Sequence, residues 1–538
     1  MNSTADSTVT NPGVYARRWW TLGVLCLSLL VIGLDNTILN VALPTLVRDL
    51  HASQSQLQWI VDAYTIVFAS LLLTAGSLGD RFGRKRALSV GLVLFGAGSA
   101  FAAFSGSASL LILARGAAGV GGALIMPATL SILTNVFPAE ERGRAIGIWA
   151  GMSAIGIVAG PTAGGWLLQH FWWGSVFLIN VPVVAAALVA GHFLVPESRD
   201  PAARRLDPNG TVLSAVGLVG LLYGIIEAPT HGWQDPAVVA AFAVAALFLS
   251  AFVVWELRTD HPMLDVRFFD NARFSAASVS ITLVFFAMFG VLFFLTQYLQ
   301  VVLGYSAFKA GLSFLPVAVA MMIAAPNSAR LTARFGTKVV VTAGMVIVAG
   351  SLVLLSGATV SSGYALVATV LGLLGLGMAI AMAPATESIM GSLPPERAGV
   401  GSAVNDTTRE VGGALGVAVL GSLTNAAYRA HMGSSAAAAA LPPAARAAVR
   451  AGVGNAVAVA QQLPGRAGVA LAADARVAFV HAMSSTVRVG AVVALAGAVV
   501  AALWLPAHGA TPATARPLDE FDPEVATVGG LDLAVASE

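Results

Sequence analysis

Runs of roughly twenty apolar residues, separated by short polar or glycine-rich breaks, recur along the chain, and each is long enough to cross a bilayer as an α-helix. After a polar leader, residues 1–18, the pattern predicts spans at Trp19–Leu43, Gln58–Leu78, Leu88–Phe104, Leu110–Leu133, Ala145–Leu168 and Ser175–Leu194, which form a first block, 19–195. A polar connector, 196–273, carries Arg199, Arg204 and Arg205 and encloses two more spans, Thr211–Ile226 and Val238–Leu257. A second block, 274–505, reads Phe274–Val302, Ala310–Leu331, Val339–Gly357, Tyr364–Gly391, Ser402–Thr424 and Val487–Leu505, for a total of about fourteen spans. Inside that block the stretch 425–485 is rich in Ala and broken by Pro442, Pro443 and Pro464, and is expected to be an external loop folded as a short helical hairpin. The tail, 506–538, is polar, acidic and punctuated by Pro and Gly, a composition expected to stay disordered.

Composition narrows the class. With 57% hydrophobic and 10% charged residues in 538, the chain is not an ordinary globular protein around one core, and continuous apolar runs mean helices rather than the alternating pattern of a barrel. A net charge of +2 gives no footprint for nucleic acid. One cysteine, Cys26, allows neither an intrachain disulfide nor a thiolate metal site, and no metal or cofactor is expected. Arg17, Arg18, Arg81, Arg84, Lys85, Arg86, Arg142, Arg144, Arg330, Arg334 and Lys338 fall on one side with the connector arginines, while the opposite short loops lack Lys and Arg. By the positive-inside rule that side is cytoplasmic, and an even span count puts both termini there.

The blocks repeat. Gly79-Asp80-Arg81-Phe82-Gly83-Arg84-Lys85 follows the second span of the first block, and Thr332-Ala333-Arg334-Phe335-Gly336-Thr337-Lys338 follows the second span of the other. Two repeated bundles around a midplane site are the layout of a secondary transporter.

Charge within the spans marks the chemistry. Asp35 sits in Leu34-Asp35-Asn36-Thr37-Ile38-Leu39-Asn40-Val41-Ala42-Leu43-Pro44, where an ionised group costs about 2.5–3.5 kcal/mol on insertion scales. It is read as the proton-exchanging acid, against a structural contact with Asn36 or Asn40. Arg115 in the fourth span cannot lose its proton and needs a carboxylate or carbonyl partner. Asp62, Asp406, Glu410 and Glu387 are further candidates for a proton or cation, and Glu227 is read as structural. Gly156, Gly160, Pro161, Gly164 and Gly165 give the fifth span a groove for close packing and a kink. Gly76, Asp80, Arg81, Gly83 and Arg84 form a tight turn whose carboxylate can hold a guanidinium or a helix N-terminus across the bundle interface, a latch expected to stabilise the outward-facing state.

These motifs resemble the major facilitator superfamily, and together with Asn180-Val181-Pro182 and the inserted span pair they are similar to its fourteen-span drug:proton antiporters, over nearly all of Trp19 to Leu505. The resemblance implies an all-α major facilitator fold, two six-helix bundles plus two inserted helices, in a bacterial cytoplasmic membrane. It makes Arg115 the family's fourth-span arginine of proton transfer and the fifth-span glycines its exporter motif. Ala118 stands where a glutamine is usual, and Trp173-Gly174 where an arginine often stands. The expected function is proton-coupled efflux of lipophilic, often cationic, drugs by a monomer among membrane lipids, with export of a single natural product as the alternative. Met126, Phe285, Phe286, Met288, Phe293, Phe294 and Tyr298 are candidate lining for an accommodating cavity. No nucleophile–base pair or phosphate loop points to an enzyme.

Overall fold

Capping residues in the polar breaks set many of the helix starts. Ser107, Asp207, Asp235, Asn271 and Ser306 each accept from a backbone N–H two or three residues ahead. The computed structural model describes residues 12–50, 54–199, 207–260, 262–394 and 397–506. The leader before residue 12, Arg204, Arg205, the tail from residue 507 and the side chains of Asn40 and Pro161 lie outside the described residues.

The first block folds as α1 (Pro12–Leu50), α2 (Gln54–Phe82), α3 (Arg84–Ala103), α4 (Ala108–Val136) and α5 (Ala139–His170), then a sixth span of two pieces, α6 (Ser175–Leu178) and α7 (Asn180–Leu194). The inserted pair is α8 (Pro208–His231) and α9 (Pro236–Arg258). The second block contains α10 (Ala272–Gln297), the short α11 (Ala307–Leu312), α12 (Leu315–Phe335), α13 (Thr337–Leu355), α14 (Tyr364–Met390) and α15 (Ala398–Gly433). Three short helices, α16 (Ala436–Ala439), α17 (Pro443–Ala451) and α18 (Val453–Gln462), lead to α19 (Gly465–Trp504). There is no β-strand among the described residues. Thirteen helical stretches among them are long and apolar enough to cross a membrane. The expected span Ala145–Leu168 is not in that count; it lies in α5, whose 32 residues are ample for a crossing.

The stretch 425–485 differs from a loop in an instructive way. α15 continues past Thr424 to Gly433, and α19 begins at Gly465, because alanine-rich sequence favours helix whether or not lipid surrounds it. Ser435, Pro442, Gly452 and Pro464 mark the interruptions, standing at the N-caps of α16, α17, α18 and α19.

In the first bundle α1 packs on α5, α4 and α7, and α4 on α2 and α3; in the second, α10 packs on α15 and α19, and α14 on α12 and α13. Two seams join the bundles, α2 with α4 against α15, and α5 against α12 and α14. The inserted α8 lies along the first seam, touching both α2 and α15.

Candidate functional site

Asp35 is fully buried in α1, and both its oxygens are engaged. Arg115 of α4 forms an ion pair to Oδ2 through Nη1, and Asn180 of α7 donates to Oδ1 at 2.9 Å. Arg115 is fixed in turn: its Nε donates to the Ile60 carbonyl at 3.1 Å, and its guanidinium lies over the rings of Tyr64, 4.5 Å away, and Phe177, 6.0 Å away. Asn180 reaches Asp35 because it starts α7 after the break at Ile179, and it also donates to Ser99 at 3.3 Å. A buried ion pair is tolerated only when the remaining donors and acceptors are satisfied, which this arrangement achieves. Two of its partners are thus Arg115 and Asn180, on other helices. Ala118 adds no polar atom and packs instead against Gly98 of α3.

The fifth-span glycines set how deeply α1 sits. A Cβ on Gly156 would come within 2.8 Å of the Gly33 Cα, one on Gly160 within 2.8 Å of the Ile38 nitrogen, and one on Gly164 within 2.7 Å of the Ile38 side chain. Thr37 closes the contact by donating to the Gly156 carbonyl at 3.1 Å. Gly165 faces away, toward Phe308 of α11. Three of these glycines therefore press α5 onto the stretch of α1 that carries Asp35.

At the end of the bundle that carries the basic loops, Asp80 performs two tasks. It pairs with Arg84, Nη2 to Oδ1 at 2.7 Å, and accepts from the backbone nitrogens of Gly399 at 2.9 Å and Val400 at 3.2 Å. The second contact caps the N-terminus of α15 from the opposite bundle, where a carboxylate is favoured by the helix dipole. Gly76 makes room: a Cβ there would lie 2.8 Å from that of Ala403. Gly83 adopts φ 112°, a conformation in which a side chain is strained, and Arg81 lies over the Phe82 ring at 5.3 Å.

A second charged centre lies in α15. Asp406 accepts from Asn405 at 3.0 Å and is 3.8 Å from Arg409, both buried. Arg409 donates to Thr386 of α14 at 3.2 Å and stacks over Phe285 and, across the seam, over Trp149 of α5, 4.8 Å away. Trp149 is held by its bond to Thr129 of α4 at 3.1 Å. Glu410, half-buried, interacts electrostatically with Asp406 and Arg409. Glu387 lies apart, on α14, facing Gly143 of α5 and acting on Arg142 and Arg273. Asp62 is also apart, in a group with Gln58 and Glu227: Gln58 donates to Glu227 at 3.3 Å, and His231 lies 2.9 Å from the same oxygen.

The aromatic residues of α10 do not form one lining. Phe293 is 45% exposed on the outer surface, Phe294 and Tyr298 are core, and the Tyr298 hydroxyl donates to the Thr359 carbonyl at 2.8 Å. Sequence reasoning missed Tyr64 and the two-pronged Arg18–Glu141 pair, 2.6 and 2.9 Å, that ties α1 to α5. It also missed Asp207, which accepts from Trp255 at 2.9 Å within the inserted pair. Arg18, Glu141 and Asp207 were visible as polar residues near helix starts, and Tyr64 as an aromatic inside α2.

The family model described as Major Facilitator Superfamily matches residues 25–417. The chain is 38% identical to the multidrug efflux pump LfrA of Mycolicibacterium smegmatis, covering 93% of this chain and 99% of that one. It is 38% identical to the tetracenomycin C resistance and export protein of Streptomyces glaucescens, over 76% and 77% of the two chains. It is 34% identical to the methyl viologen resistance protein SmvA of Salmonella typhimurium, over 87% and 94%. Among solved structures, the human organic anion transporter TETRAN superposes with a TM-score of 0.58 at 14% identity, covering 89% of this chain and 99% of that one. A bacterial homologue of the human lysosomal transporter Spinster gives 0.55 at 20%, covering 92% and 99%.

Proposed function

This chain belongs to the major facilitator superfamily, and we propose that it exports lipophilic, often cationic, small molecules across a bacterial cytoplasmic membrane in exchange for protons. The observation that carries the reading is Asp35, a buried acid held by an arginine and an asparagine from two other helices of its bundle. A proton arriving on Asp35 cancels the charge that holds Arg115 and leaves a buried guanidinium short of its partner, an arrangement of high cost that rearrangement of α1 against α4 relieves. Release of that proton restores the pair. Coupling between proton and cargo then needs no direct contact, because both act on the same two-state packing. The family's relatives named for multidrug efflux and methyl viologen resistance support a broad, cationic cargo.

In this reading the basic loops face the cytoplasm, both chain ends lie there, and the monomer is the working unit. Asp80 releases the N-terminus of α15 each time the cytoplasmic side opens. The charged centre of α15, Asp406 with Glu410, is the place for a second proton or for the cargo's positive charge; Asp62 and Glu387 are the remaining acids able to serve. The test is uphill efflux of a fluorescent cation from vesicles. Asp35→Asn is expected to abolish it, and an uncoupler to collapse the parent's efflux without any need for ATP; parental accumulation by the asparagine variant overturns the reading. The tetracenomycin C relative favours a second reading, export of one natural product, and a resistance profile across unrelated compounds separates the two.

A further inference from the structure

Tyr64 of α2 touches the first charged centre, and α2 packs along the seam on α15, which carries the second. It is buried to 1% exposure, its ring lies 4.5 Å from the Arg115 guanidinium, and it is held by Phe68, stacked at 5.6 Å, and by Phe95 of α3, edge-on at 6.4 Å. Its hydroxyl passes over Gly122 of α4, where a Cβ would come within 2.9 Å of the oxygen. That hydroxyl is buried and has no hydrogen-bond partner among the described residues. Neither Arg115 nor Asp35 takes it, since their bonds are made elsewhere. A buried hydroxyl without a partner is costly, so the state described here is one in which this donor is withheld. The charged groups that act on it come from three helices, Asp35 from α1, Arg115 from α4 and, across the seam, Glu410 from α15, while α3 presents only Phe95.

We propose that Tyr64 is a positioning residue that couples the two charged centres: its hydroxyl donates to Glu410 when α15 shifts against α2, and its ring transmits that shift to Arg115 and hence to Asp35. An ionised Glu410 takes the bond strongly, and a protonated one weakly. The charge state of one bundle is thereby read by the other through a side chain that carries no charge itself. This rests on the proton-exchange reading above.

The experiment uses the full chain in proteoliposomes, with ethidium as cargo and an internal pH dye, comparing the parent, Tyr64→Phe, Glu410→Gln and the double variant across pH. Phenylalanine keeps the ring over Arg115 and removes an unpartnered oxygen, so a parental melting temperature and ethidium affinity within about twofold are expected. Exchange should slow about tenfold, and its pH profile should superimpose on that of Glu410→Gln, with the double variant no slower than the slower single one. A parental profile for Tyr64→Phe, or multiplying effects in the double variant, overturns the coupling alone. A parent that moves ethidium without moving protons overturns the exchange reading and the coupling with it.

Discussion

The two repeated loops share a backbone and differ in their chemistry. Gly83 and Gly336 stand at matching places with φ of 112° and 82°, and Arg81 and Arg334 each lie 5.3 Å over the following phenylalanine. The turn is thus the same object twice. Where the first has Asp80 and Arg84, however, the second has Ala333 and Thr337. Among the described residues, it is the first loop that caps a helix of the opposite bundle. The seams follow suit: Gly76 meets Gly399 backbone to backbone, whereas Ala329, its counterpart, meets Gly143, with Glu387 nearby. Small residues meet at both seams, but in the first a carboxylate caps the opposing helix, whereas in the second Glu387 acts on Arg142 without such a cap among the described residues. A duplicated frame has kept its geometry and placed its charged cap on one side.

The sharpest way to break this comparison is Asp80→Asn beside Ala333→Asn. The first takes the Asp80 carboxylate from Arg84, whose side chain is 2% exposed, and removal of one partner from a buried pair costs about 3–5 kcal/mol. A large fall in melting temperature and efflux is expected for Asp80→Asn and near-parental values for Ala333→Asn; equal damage would mean that the asymmetry has no energetic weight. Next in size is Gly399→Ala beside Gly143→Ala. A Cβ on Gly399 would lie 2.6 Å from the Asp80 carboxyl carbon, so about 1–3 kcal/mol of overpacking is expected, read by denaturation. At Gly143 the obstacle is the flexible end of Glu387, 2.8 Å away, and the loss should be smaller. Gly83→Ala and Gly336→Ala test what the loops have in common: each should cost on the order of 1 kcal/mol from backbone strain, with somewhat more at Gly83, where Glu197 crowds the position. The smallest effect is expected from Phe82→Leu and Phe335→Leu. Their rings are 50% and 49% exposed, and loss of an exposed cation–π contact should cost about 0.5–1 kcal/mol in either loop, seen as matched small shifts in melting temperature.

Spans were legible because apolar runs and polar breaks obey the physics of the bilayer. Asp35 and Arg115 were legible as charges where charge is expensive. Their mutual contact, 80 positions apart in sequence, and that of Asn180, 145 from Asp35, are products of packing that no local pattern encodes. Asp80 was legible as a carboxylate able to hold a guanidinium or a helix N-terminus, but which helix it meets was not, since the groups there are the backbone N–H groups of Gly399 and Val400, which every residue but proline possesses. Tyr64 reads as one aromatic among many in an apolar helix; only the fold reveals which charges surround it. The stretch 425–485 was legible as helical, but the continuation of α15 and α19 into it was not, because alanine carries no mark of where the membrane stops.

The length of α15 and α19 has a mechanical result. At 36 and 40 residues they extend about 54 and 60 Å, against a hydrocarbon core of about 30 Å, so both project well beyond the end of the bundle opposite Asp80 and carry α16 to α18 there. A tilt of the second bundle by a few degrees, hard to detect at its pivot, is magnified at the tip of such a stalk. A spectroscopic label on Arg446 would sweep a wider arc than one beside Asp406, making the appendage a pointer from which each stroke could be counted one molecule at a time.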